Sequence, residues 1–106
     1  KQGQYRFFLF TDNKEIKIGL KADRKIYNLS KKVEIRKAQP VLLLIEKLLK
    51  ESGISLKDIK RIEVNAGPGS FTGIRIGVSI ANALSFLLKI PINGKKLGEF
   101  VEPTYQ

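Results

Sequence analysis

The residues best placed to do chemistry form one stretch, Gly67-Pro68-Gly69-Ser70-Phe71-Thr72-Gly73. Its glycines let the backbone take positive φ or pass close to a neighbour, and Pro68 fixes one dihedral. Where a helix follows such a turn, its first free N–H groups and its dipole both favour phosphate or carboxylate, so the available chemistry is anion binding. Ser70 or Thr72 could cap that helix. The Gly-Lys-Ser/Thr ending of a nucleotide-hydrolysing loop is missing, so no lysine is placed to hold β and γ phosphates. The stretch serves either as a ligand loop or as a structural turn between strand and helix.

Other catalytic options are few. The chain contains no histidine and no cysteine, which removes imidazole bases, thiol nucleophiles, disulfides and the common zinc sites. A two-metal nuclease needs carboxylates gathered around ions roughly 4 Å apart. Phe7-Phe8-Leu9-Phe10 stands where its first acid belongs, and Glu63, alternating with Ile62 and Val64, is expected to face solvent. Asp12, in Thr11-Asp12-Asn13, has the residue type of an ATPase metal ligand, but Asp-Asn is ordinary turn chemistry. No catalytic residue, no metal, no cofactor and no ATP binding are expected.

The hydropathy pattern outlines the elements that must hold these residues. Tyr5 to Phe10 reads as a buried central strand, Asp12-Asn13-Lys14 as a tight turn, and Glu15 to Leu20 as a strand with Ile16, Ile18 and Leu20 on one face. Lys21 to Arg24 is a second turn, and Lys25 to Ile35 a third, more exposed strand. Pro40 suits the first turn of a helix that ends at Gly53. Ser55 to Ile59 is a short capped turn, Arg61 to Asn65 a fourth strand and Ile74 to Leu88 a second helix. Ile90-Pro91-Ile92-Asn93-Gly94 reads as a short last strand, kept at an edge by Pro91. The predicted order is βββαβαβ.

At 106 residues the chain is one α/β domain, able to bury about two thirds of its unfolded surface. It has no uncharged apolar run of about 18 residues that would span a membrane. Its first residues lack the apolar core of a signal peptide, so a cytoplasmic address is expected.

Both helices carry more apolar surface than one contact with a sheet consumes. Gly77, Val78, Ala81, Leu84 and Leu88 make one face of the second helix, and Ile76, Ile80, Ala83 and Leu87 another; Arg75, Ser79 and Asn82 form only a narrow polar stripe. The first helix has Leu42, Leu43 and Leu49 outside its main stripe. Either the helices pack on each other, or the surplus meets another chain through Leu42, Leu49, Arg75, Gly77, Val78, Ala81 and Leu84. The net charge of +10 attracts nucleic acid through phosphate contacts. Its lysine clusters, however, sit at turns and element ends with no aromatic residues interleaved, as solvated lysines do. A phosphate-binding protein and a basic RNA-binding module are the alternatives to a partner-binding scaffold.

The string Gly-Pro-Gly-Ser-Phe-Thr-Gly-Ile-Arg-Ile-Gly from Gly67 to Gly77, followed by Ala81, a leucine-rich helix end, Ile90-Pro91 and Gly94, closely resembles the TsaB family. These are glycoprotease-like partner subunits in bacterial tRNA threonylcarbamoyladenosine synthesis. The element order resembles a ribonuclease-H-like or actin-like (ASKHA) half-domain with a five-stranded mixed sheet. Complete TsaB proteins resemble two such halves joined, so the resemblance implies a TsaB-like first domain over residues 1–97 and a tail over 98–106, with the second domain absent or removed. It further implies a non-catalytic scaffold that pairs with a TsaD-like catalytic subunit through its helices. A TsaE-like ATPase joins that assembly, which modifies an adenosine beside the tRNA anticodon; tRNA is then met indirectly, and a homodimer through the same helices is expected. Gly67, Pro68, Gly69, Ser70, Phe71, Thr72, Gly73, Arg75 and Gly77 are carried over as signature residues near the pairing helix. The histidines with which TsaD holds metal have no counterpart here.

Overall fold

Two short turns fold the first third of the chain back and forth on itself. The Asp12 carboxylate accepts hydrogen bonds from the backbone N–H groups of Lys14 and Glu15, each at 2.8 Å, and so fixes the first turn. Asp23, at φ 50°, supplies the left-handed residue of the second. The result is three antiparallel strands, β1 (Tyr5–Thr11), β2 (Glu15–Ala22) and β3 (Lys25–Lys32). The computed structural model describes residues 4–69 and 71–104, and of Phe71 only the backbone.

The remaining elements are α1 (Gln39–Ser52), a 3-10 turn at Leu56–Asp58, β4 (Ile59–Val64) and α2 (Phe71–Leu88). Pro40 lies in the first turn of α1, and Gly53, at φ 73°, ends the helix by donating its N–H to the Leu49 carbonyl. Ser55 and Asp58 close a reciprocal cap around the 3-10 turn. β4 adds to β1 in parallel, giving the mixed sheet order β3-β2-β1-β4.

The fifth strand expected at 90–94 is reduced to one isolated parallel bridge between Ile62 and Ile92. Pro91 has no N–H to extend a ladder, and Asn93 and Gly94 both adopt positive φ, which turns the chain away. Asn93 substitutes with its side chain, accepting from the Val64 N–H at 2.8 Å and donating to the Val64 carbonyl.

Both helices lie on one face of the sheet. Phe7, Leu9, Ile18, Leu20, Ile62 and Val64 point towards them and are buried. α1 covers β2 and β3 while α2 covers β1 and β4; each rests chiefly on its own strand pair rather than on the other helix.

Candidate functional site

The glycine stretch joins β4 to α2 beside the carboxyl end of β1, the place where open α/β sheets commonly bind ligands. Its geometry is set by close packing. A methyl group on Gly73 would overlap the Asp12 backbone, and one on Gly77 would overlap the Thr11 hydroxyl. These two glycines, one helical turn apart, let α2 lie directly against the end of β1. Thr11, fully buried, donates its hydroxyl proton to the Gly73 carbonyl at 2.6 Å and locks the contact. Sequence reasoning missed Thr11 as an anchor. The available signal was its register, which puts it on the same strand face as Phe7 and Leu9.

The rest of the turn is occupied as well. Gly67, at φ 107°, donates its N–H to the Asn65 side chain, and the Ala66 carbonyl accepts from the Thr104 N–H at 2.7 Å. The tail thus passes over Gly67, where a side chain would strike the Thr104 carbonyl. It is pinned further back by a two-way pair of hydrogen bonds between Asn82 and the Val101 backbone, with Val101 buried. Pro68 and Thr72 are exposed, and a methyl on Gly69 would press on Ile74 at 3.1 Å. α2 begins at Phe71, so Thr72 lies inside the helix and is not its cap; Ser70 and the Phe71 side chain lie outside the described residues. The Asp12 carboxylate is spent on its turn, and Glu63 is half-buried on the sheet face away from the helices. Among the described residues no three of His, Cys, Asp or Glu come together.

The helices divide the expected partner residues into two groups. Gly77, Val78 and Ala81 face the sheet and are buried, and Leu49 and Leu84 are partly buried against the core. Gly77, Val78 and Ala81 cannot meet another chain while the domain is folded, because this small stripe serves the approach of α2 to β1; Leu49 and Leu84 keep part of their surface in water. Leu42 and Arg75 do face outward. The other exposed large apolar residues of the two helices are Leu43 (56%) on α1 and Phe86 (67%) and Leu87 (71%) on α2. Phe86 also meets Phe100 of the tail edge to face, with ring centroids 6.5 Å apart. Among the described residues no helix is long and apolar enough to cross a membrane.

Comparison with known proteins bears on this arrangement. The family model described as TsaD: tRNA N6-adenosine threonylcarbamoyltransferase matches residues 32–94. The tRNA threonylcarbamoyladenosine biosynthesis protein TsaB of Buchnera aphidicola subsp. Schizaphis graminum is 45% identical over 69 residues, 65% of this chain and 33% of that protein. Its Escherichia coli counterpart is 43% identical over 56 residues, covering 53% and 24%. The solved structure of YeaZ from Pseudomonas aeruginosa superposes with a TM-score of 0.79 at 27% identity, over 84% of this chain and 42% of that one. The chain thus spans a third or less of the length of these two curated relatives.

Proposed function

Because the chain belongs to the family described as TsaD: tRNA N6-adenosine threonylcarbamoyltransferase, as a partial, TsaB-like member of it, we propose that it is a non-catalytic scaffold in tRNA threonylcarbamoyladenosine biosynthesis. It pairs with a TsaD-like catalytic subunit, with a TsaE-like ATPase in the assembly, and works in the cytoplasm without a bound cofactor. The observation that carries this reading is the outward apolar surface of the two helices. Leu42, Leu43, Phe86 and Leu87 each leave more than half of their surface in water, and exposed large apolar side chains on the helix layer support a binding role where they join into one patch. A non-catalytic role is supported by the residues themselves. The chain has neither histidine nor cysteine, and the carboxylate of Asp12, whose backbone packs against Gly73, is tied to backbone N–H groups.

The same surface serves a homodimer when no partner is present, because the partner proposed is a relative of this chain and can be replaced by a second copy. The deciding experiment is the solution mass of the protein alone and mixed with the TsaD-like protein of the same source. A heterodimer is expected, and the double variant Leu42→Asp/Leu87→Asp should weaken it at least tenfold while the melting temperature stays within a few degrees of wild type. A protein whose mass is indifferent to the TsaD-like subunit overturns the reading.

A further inference from the structure

The face of the sheet that carries no helix is ordered in rows by strand register. Lys21, Arg6 and Arg61 form one row across β2, β1 and β4. Asn28, Gly19, Phe8 and Glu63 form the next, and Ser30, Lys17 and Phe10 a third. Neighbouring strands are about 4.8 Å apart and successive rows about 6.7 Å apart. Three cations set side by side at that distance repel one another. None of the three is in an ion pair with a described residue. Lys60 joins them around a recess of about 380 Å³, where among the described residues the carboxylate present is that of Asp23. The row calls for an anion.

The next two rows supply flat apolar surface. Phe10 is 37% exposed and Phe8 half-buried; Gly19, opposite Phe8 on β2, lies under the Asn28 side chain at one side of a shallow recess of about 310 Å³. Arg6 sits 5.6 Å from the centre of the Phe8 ring, and Lys17 5.6 Å from that of Phe10. The Asn28 amide and the Glu63 carboxylate border the same recess. In the linear sequence the aromatic residues are not interleaved with the basic clusters. Strand pairing interleaves them in space.

We propose that this face binds single-stranded RNA, with bases stacked on Phe8 and Phe10 and phosphates held by Lys21, Arg6, Arg61 and Lys17. Aromatic rings on an open sheet stack any base that is free of a duplex, and flanking cations track the backbone. Asn28 and Glu63 are placed to hydrogen-bond base edges. That the nucleic acid is RNA rests on the tRNA-modification role proposed above; the stacking and charge argument does not. Under this inference the protein touches RNA directly, on the side opposite its protein-pairing helices.

The test is the binding of the intact protein to a labelled ten-nucleotide single-stranded RNA, followed by fluorescence anisotropy over a range of salt. Phe8→Leu/Phe10→Leu keeps apolar bulk in the strand and removes the rings; it should weaken binding at least tenfold. Arg6→Gln/Arg61→Gln should reduce the slope of log affinity against log salt by about 1.4, roughly 0.7 for each phosphate of a single strand that is no longer neutralised. Phe86→Ala, on the opposite side, should leave affinity unchanged. Wild-type affinity in the ring variant, or equal affinity for a duplex of the same sequence, overturns the inference, as does a sheet face closed to RNA by further chain. The ring and arginine variants should still pair with the TsaD-like protein. Loss of pairing in the wild type with RNA binding intact would count against the scaffold role and not against this surface.

Discussion

Thr11, Gly73 and Gly77 form one tightly constrained contact between β1 and α2. A buried hydroxyl meets a helix carbonyl, and two missing side chains make the approach possible. Gly73→Ala should therefore destabilise the domain by about 1–3 kcal/mol or more, because the new methyl meets backbone that cannot swing aside. Urea unfolding would register the loss, and an unchanged midpoint would refute the packing account. The pattern Gly73-x-x-x-Gly77 is visible in the sequence as a small face, but periodicity says only that a face is small, not what it meets. That is why Gly77, Val78 and Ala81 read equally well as a partner surface. Arg75, Ser79 and Asn82 were legible as the polar side; Asn82 spends its amide on the tail backbone.

At the scale of elements, the strands and helices announced themselves through alternation, Pro40, Gly53 and the capped turn at Ser55. The last strand did not, because a proline and two positive-φ residues shorten it to a bridge that the Asn93 side chain completes. The two helices are two-sided, with one side sealing the sheet and the other left wet. Ala81→Arg should put an unpaired charge into the contact between α2 and the sheet, at a cost of more than about 4 kcal/mol. Circular dichroism should show a largely unfolded protein, in contrast to the folded Leu42→Asp/Leu87→Asp variant. β3, the free edge, carries Lys25, Lys31 and Lys32, which discourage another strand from adding there.

For the whole molecule, the arrangement is one sheet with apolar-surfaced helices on one side and a basic aromatic face on the other. The sequence could not show this two-sidedness, because whether a strand face is covered depends on where the helices land and not on the strand itself. Phe8 and Phe10 stand well apart from Lys17, Lys21 and Arg61 in the string, and become their neighbours only through pairing of β1 with β2 and β4. Amide hydrogen exchange should follow the same plan. β1 and β2, paired on both sides, should exchange slowest, and β3, paired on one, fastest among the strands; uniform protection would contradict the sheet order.

The bond from Thr11 to Gly73 spans 62 residues of chain, whereas the first three strands are joined by turns of a few residues. Loops that long are costly to close, and non-local contacts form late. During synthesis the meander is complete before α2 exists. Phe7 and Leu9 on β1 then wait in water for the segment that will cover them. The newborn chain is most exposed to aggregation in that interval, and it is relieved when the glycine-marked helix arrives and docks.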